Sequence, residues 1–320
     1  MVFKLKGNDV IKEQDIEVTE SLIGIYGYNN SGKTTILKEL DKVIDEENIK
    51  CIVNDGEYIR SLFIPTNRVI VRQAHTSSTQ IKDIEEFLAY KKDSYNEFDL
   101  HLRLIRENLL RNNAVRQVVK NAIIYMFGED YEFDFDRRQS DGVENIINIY
   151  CSIIWLFTWD KDIEDIKYDK LRQLLCDTSA VVMIDEIEAF LHVYVQSRML
   201  QKFKEDFSKC SFVFTTHSPL LLSRYYNIRK FQLDNGILNE INADLYYKDL
   251  DNIYEVYFNV EEFPKEAGEI INRLGDYICG EEYNRDVIVK DLKILNEQYA
   301  NVKAKYPGLV AKAEVKLGVE

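Results

Sequence analysis

The stretch Gly27-Tyr28-Asn29-Asn30-Ser31-Gly32-Lys33-Thr34-Thr35 decides how this chain is read. It fits the spacing G-x-x-x-x-G-K-[ST]. Gly27 and Gly32 let the backbone turn tightly and approach an anion with no β-carbon in the way. The amides between them, those of Asn29, Asn30 and Ser31 included, then converge on one concavity. A helix beginning at Lys33 aims its positive end at the same place. Lys33 can reach the outer phosphates of a nucleotide as a point charge, and the Thr34 hydroxyl can ligate Mg²⁺. Thr35, one residue into the helix, is placed for the α-phosphate. Upstream, Leu22-Ile23-Gly24-Ile25-Tyr26 reads as a buried strand; downstream, Lys33 to about Ile44 reads as an amphipathic helix. Strand, loop and helix in that order point to an α/β fold.

Two further apolar runs end in polar groups. Val181-Val182-Met183-Ile184 leads into Asp185-Glu186, and Phe212-Val213-Phe214 leads into Thr215-Thr216-His217-Ser218-Pro219. Short, nearly continuous apolar runs suit strands of a sheet covered on both faces. In open α/β sheets, ligands sit beyond the carboxyl ends of the strands. Asp185 can therefore hold the metal, through water, and Glu186 can orient or deprotonate an attacking water. Glu188 follows as a helix cap and dipole partner. His217 either serves the turn structurally or reaches the γ-phosphate and the attacking water; its place at the end of a neighbouring strand favours the second reading.

The turn Arg138-Gln139-Ser140-Asp141-Gly142 precedes a mostly apolar stretch, residues 143–158. Ser140 can act as an ordinary helix N-cap, or its hydroxyl and the Gly142 amide can form a second anion site. Strands are also expected before Ser21, near Cys51–Val53 and over Ser61–Val71. Residues 82–128 are long, polar and helical in period, and read as an insertion. Between His101 and Ile123 stand five basic residues, Arg103, Arg106, Arg111, Arg116 and Lys120, against the single acid Glu107. That run is either a solvated face or a contact for nucleic acid or a partner. Near the end, Ala267, Ile270, Ile271, Leu274 and Ile278 share one helical face, as do Ile288, Leu292, Leu295, Tyr299 and Val302. Their spacing suits helix-on-helix packing, in a helical hairpin that docks on the core or binds a partner.

Working outward to the whole chain, 320 residues give room for two structural units. Hydrophobic residues form 46% and charged residues 30%, which supports a packed core and excludes disordered and low-complexity classes. The net charge of −14 means that any nucleic-acid contact must be local. The five cysteines are scattered and odd in number, with no pairing pattern of a disulfide framework or zinc site. There is no signal-peptide run and no apolar stretch of about 18–20 residues, so a cytoplasmic setting without membrane contact is expected.

Taken together, GYNNSGKTT at 27–35, SDG at 140–142, VVMIDEIEAFLH at 181–192 and FTTHSP at 214–219 resemble the ABC-type ATPases of the SMC/RecF/OLD branch, in particular the small stand-alone ATPases of bacterial anti-phage systems. The resemblance implies a P-loop NTPase fold with a mixed, mainly parallel sheet, a helical insertion and a C-terminal helical appendage. It divides the chain into 1–75 and 139–235 as the two parts of a nucleotide-binding domain, 76–138 as the insertion and 236–320 as the appendage. It also implies ATP and Mg²⁺ as ligands, and a head-to-tail homodimer that sandwiches two nucleotides. Lys33 and Thr34 of one subunit would then face Ser140 and Gly142 of the other, with Glu186 as general base and His217 as switch. Gln73 is the best candidate for a glutamine at the metal. Gln139, Asp141 and Val143-Glu144 depart from the family's signature sequence. The function implied is an ATPase that controls a separate effector, a nuclease by preference; a DNA-repair ATPase and a transporter-energising ATPase are the alternatives.

Overall fold

The computed structural model describes residues 1–18, 22–53, 59–66, 105–223, 225, 227–241, 265–280, 283–299, 302–303 and 306–318. The chain forms two compact units, residues 1–248 and 249–320.

In the first unit, β1 (Val2–Leu5) and β2 (Gln14–Glu17) pair as an antiparallel hairpin. The main sheet holds β3 (Leu22–Tyr26), β4 (Ser61–Ile64), β5 (Ala180–Ile184), β6 (Cys210–Thr216), β7 (Arg229–Asp234) and β8 (Ile237–Glu240). Their order across the sheet is β4-β5-β6-β3-β7-β8. All neighbours run parallel except β7 and β8. A mixed, mainly parallel sheet is thus what forms. Successive residues of a strand point to opposite faces, and here each face meets its own core. Val182, Ile184, Phe212 and Phe214 pack on one side; Val181, Met183, Ile23 and Ile25 pack on the other.

The second face is covered by α1 (Lys33–Val53) and the β1–β2 hairpin. This helix runs past the expected end at Ile44 and takes in Cys51–Val53, which is therefore not a strand. No glycine or proline lies between Lys33 and Val53 to stop it. Asn48 on α1 is tied to the chain before β4: its Nδ2 donates to Ile59 O at 2.8 Å and its Oδ1 accepts from Ile59 N at 2.6 Å. The expected strand over Ser61–Val71 is seen as β4; residues 67–71 lie outside the described residues.

The first face is covered by α2 (Asn113–Phe127), α3 (Asp141–Thr158), α4 (Tyr168–Asp177) and α5 (Val193–Asp206). A short helix, α6 (Pro219–Ser223), follows β6. The sequence reads 76–138 as a helical insertion. The described part of that segment packs within the helical layer. Val115, Val118, Val119, Ala122, Ile123 and Met126 of α2 are buried in the same core as α3 and α5. Their steps of three and one trace a single helical face, which the polar residues between them conceal.

The appendage expected from 236 also begins later. Asn235 and Gly236, both with positive φ (48° and 77°), turn the chain so that β8 pairs with β7. The second unit holds α7 (Lys265–Cys279), α8 (Arg285–Gln298) and α9 (Pro307–Leu317). The two expected faces meet there: Ala267, Ile270 and Leu274 pack with Ile288, Leu292, Leu295 and Val302, and α9 adds Val310, Ala313 and Leu317. Among the described residues, α7, α8 and α9 rather than a two-helix hairpin close this core. Arg273 makes two bonds to the buried Asp291 carboxylate, at 2.8 and 3.0 Å.

Candidate functional site

The parallel strands deliver their carboxyl ends to one edge of the sheet. Beyond β3 lies the loop 27–32, beyond β5 the pair Asp185-Glu186, beyond β6 His217, and beyond β4 Thr66. The loop has the form the sequence predicts. Gly32 has φ 99° and Asn30 φ 63°, both left-handed. A β-carbon on Gly27 would stand 2.7 Å from Leu233 O and 2.8 Å from Ser31 Oγ; one on Gly32 would stand 2.7 Å from a methyl of Val10. The loop therefore lies directly on β7 and on the β1–β2 hairpin. Lys33 is buried, and its Nζ donates to the carbonyls of Gly27 and Tyr28, both at 2.9 Å. Burial pushes the Lys33 ammonium below its ordinary pKa, opposed by the carboxylates of Glu186, Asp185 and Glu188. Asn29, Asn30 and Thr34 are exposed; Ser31 and Thr35 are half-buried. The Ser31 hydroxyl oxygen is buried with no hydrogen-bond partner.

Thr34 Oγ1 donates to Asp185 Oδ2 at 2.7 Å, so the phosphate loop and the acidic strand end meet. Thr66 Oγ1 donates to the same oxygen at 3.0 Å, and Thr215 Oγ1 donates to Asp185 Oδ1 at 2.6 Å. The Thr215 hydroxyl in turn accepts from Glu186 N at 2.7 Å. Glu186 itself is left-handed, with φ 44°, and its Oε1 lies 4.0 Å from His217 Nε2. That distance is too long for a hydrogen bond. A hydroxyl and a carboxylate 2.7 Å apart are hard oxygen donors of the kind Mg²⁺ takes. The glycine cradle, with no room for a β-carbon, fits the close backbone approach of a polyphosphate.

Glu188 does not cap a helix. The chain stays in turns to Leu191, and α5 starts at Val193 with His192 as its N-cap. Glu188 Oε1 instead accepts from the backbone N–H of His217 at 2.5 Å, holding the end of β6 to the turn after β5. The same turn carries the start of α3. Asn145 Nδ2 donates to Ala189 O at 2.6 Å, and a β-carbon on Gly142 would stand 2.7 Å from Phe190 O.

Ser140 occupies the N-cap position of α3, yet its side chain makes no capping bond and is exposed. Within one chain Ser140 and Gly142 are linked to the site through the 186–191 turn, not by a hydrogen bond to the phosphate loop. Gln73 lies outside the described residues, as do His101 and Arg103. Of the four described residues of the basic run, two are engaged within the fold. Arg106 pairs with Glu144 and donates to Asn148 Oδ1 at 3.2 Å, and Arg116 stacks on Phe135 with 4.8 Å to the ring centroid. Arg111 and Lys120 are exposed.

The structure thus unites Lys33, Thr34, Asp185, Glu186 and His217, and adds Thr66, Thr215 and Glu188. Sequence reasoning assigned no role to Thr66 or Thr215, and gave Glu188 a helix-capping role that it does not have. The signal for Thr215 was present, because a buried polar residue in an apolar strand needs a partner, and the carboxylates one strand away are the nearest ones. No described helix is long and apolar enough to cross a membrane.

A family profile described as "AAA domain, putative AbiEii toxin, Type IV TA system" matches residues 171–223, the window that holds Asp185, Glu186 and His217. The "Septu protein PtuA" of Bacillus mycoides (strain KBAB4) is 28% identical over 212 residues, covering 57% of this chain and 29% of that protein. The "Retron Ec83 probable ATPase" of Escherichia coli is 23% identical over 176 residues, covering 48% of this chain and 32% of that protein. Among solved structures, the ATP binding subunit of an ABC transporter superposes with a TM-score of 0.42 at 16% identity, covering 79% of this chain and 96% of that one. A bacterial Atm1-family ABC exporter with ATP bound gives a TM-score of 0.44 at 13% identity, covering 81% and 41%. The chain spans about a third or less of the length of the curated relatives it matches. Strand order and motif placement establish the fold. The chain has a P-loop NTPase fold, as the sheet order and the 27–32 loop show.

Proposed function

We propose that this chain is an ATP-hydrolysing subunit that closes head to tail with a second copy around two ATP molecules and so controls a separate effector, a nuclease, in bacterial anti-phage defence. The observation that carries the hydrolytic reading is the bond from Thr34 to Asp185, with Glu186 and His217 beside it. A phosphate loop, a metal-side carboxylate and a second acid converge at one sheet edge.

The chemistry then follows from these groups. Amides of the 27–32 loop and the N-terminus of α1 hold the phosphates, and Lys33 exchanges its two carbonyl partners for phosphate oxygens. Thr34 and Asp185 would hold Mg²⁺, which when bound neutralises charge between the β- and γ-phosphates. Water attacks the γ-phosphorus in line, the bond to the β–γ bridging oxygen breaks, and the water's proton passes to a Glu186 carboxylate oxygen. His217, with its Nε2 4.0 Å from Glu186 Oε1, would orient that water or the γ-phosphate from beside the base. Charge spread over three equatorial oxygens is stabilised by donors already in place. The exposed, uncapped Ser140 supports a role for the α3 N-terminus toward a nucleotide held by the partner. The likeness to a Septu protein and a retron ATPase supports the defence setting and a separate effector.

Lys33→Ala is expected to abolish ATP binding in calorimetry, and retained affinity would remove the loop assignment. Glu186→Gln is expected to bind ATP normally while turnover falls by about 100-fold or more. Normal turnover would show that another group takes the proton. For the effector, purification of the chain from its native host followed by mass spectrometry should recover a nuclease. A rate stimulated by DNA alone, with no nuclease recovered, would favour a repair ATPase.

A further inference from the structure

The Thr215 hydroxyl stands between the two acids and serves both. A backbone N–H can only donate, so the hydroxyl oxygen accepts from Glu186 N at 2.7 Å. The hydroxyl proton is then directed at Asp185 Oδ1, 2.6 Å away. The carbonyl of the same residue accepts from Ile187 N at 3.1 Å. One residue of β6 therefore holds three consecutive residues of the turn after β5. Thr215 is fully buried, and β6 lies between β5 and β3 in the sheet, so its own position is fixed from both sides.

Two consequences follow. With Oδ1 engaged, the Asp185 carboxylate cannot rotate freely, and Oδ2 is left toward Thr34 and Thr66. Glu186 is held in a left-handed conformation that a residue with a β-carbon adopts only under constraint. Its amide is pinned by the hydroxyl that also pins the carboxylate. The metal-side acid and the base therefore share one anchor.

Resting on the reading of this site as an ATPase, we propose that Thr215 is a positioning residue that sets Asp185 and Glu186 in a common register, coupling the placement of the metal to that of the attacking water. It does not touch the nucleotide itself. Partners that orient a ligand of a metal typically change metal affinity or activity by about 10- to 100-fold when removed.

The test uses the full chain with Thr215→Val, which keeps the branched shape and removes the hydroxyl, and Thr215→Ser, which keeps the hydroxyl. Three quantities are read: kcat and KM for ATP, ADP affinity by calorimetry in chelator and in saturating Mg²⁺, and the melting temperature. For Thr215→Val the expected result is a kcat lower by about 10-fold or more, KM within about threefold, and ADP affinity unchanged in chelator. The gain in ADP affinity that wild type shows on adding Mg²⁺ should shrink severalfold. Thr215→Ser should recover most of both. Thr215→Val with wild-type kcat and a wild-type Mg²⁺ gain overturns the proposal while leaving the ATPase reading intact. Equal loss in both variants, with lower ADP affinity in chelator and lower melting temperature, also overturns it, because the role is then only structural. If wild type itself shows no turnover, the ATPase reading fails, and the Mg²⁺ gain in ADP affinity still decides on Thr215.

Discussion

Gly142 has no room for a side chain, because its missing β-carbon would stand 2.7 Å from the carbonyl oxygen of Phe190. A backbone atom cannot swing aside as a side chain can. Gly142→Ala must therefore push the start of α3 off the 186–191 turn, at a cost of about 1–3 kcal/mol. We expect lower thermal stability and reduced ATP turnover, measured on the same preparation; a variant equal to wild type in both would show that the turn yields freely. At this scale the sequence was legible where a motif is contiguous. The Gly27–Thr35 loop, Asp185, Glu186 and His217 could be read directly, since each follows an apolar run. Thr66, Thr215 and the Glu188 bond to His217 were not, because they act through partners 119, 30 and 29 residues away in the chain. Such pairs exist only once the strand order β4-β5-β6-β3 is known.

Helices α2 and α3 show what decides an element. Asn112 is the N-cap of α2, accepting from Ala114 N and Val115 N, at 2.7 and 3.2 Å. Its Nδ2 reaches the carbonyls of Ile163, Glu164 and Ile166, at 2.6, 3.2 and 3.1 Å. One amide thus starts the helix and ties down the segment before α4. Asn112→Ala is expected to destabilise the first unit by about 2–3 kcal/mol in denaturant unfolding, the sum of a lost cap and carbonyls left with fewer donors; a change under about 0.5 kcal/mol would refute that role. In α3, Cys151 is fully buried, and burial pushes its thiol up to about 12; Cys210, at the start of β6, is pushed to about 12 for the same reason. Since the thiolate is the reactive form, neither should react with a thiol reagent at neutral pH in the folded chain, whereas the exposed Cys279 should. Rapid labelling of either buried thiol, read by peptide mass spectrometry, would mean that the helical layer opens. Within the segment read as an insertion, the described residues 105–128 pack into the helical layer for a physical reason. Polar spacing residues give a helix the look of a solvated excursion, while the stripe from Val115 to Met126 is what the core uses.

For the molecule as a whole, the proposed pairing makes a prediction about mass. With ATP and Mg²⁺, Glu186→Gln should accumulate as a dimer in light scattering, and Lys33→Ala should remain a monomer. A Glu186→Gln monomer at saturating ATP would argue against the sandwich. The net charge of −14 opposes association of two copies at low salt, so moderate salt should favour the dimer through screening. Within the first unit, distant parts of the chain converge beneath the phosphate loop. Val10, 48% exposed, and Ile11 lie against Gly32 and Gly236, and Gln14 joins both Gly236 O and Leu238 N. Under the proposed reading, the grip on a nucleotide would then depend in part on Val10, a side chain that lies under the loop at Gly32. A bulkier or smaller residue at position 10 would raise or lower the bed on which the loop rests, and natural drift or a protein engineer could adjust affinity there while leaving the reaction chemistry alone.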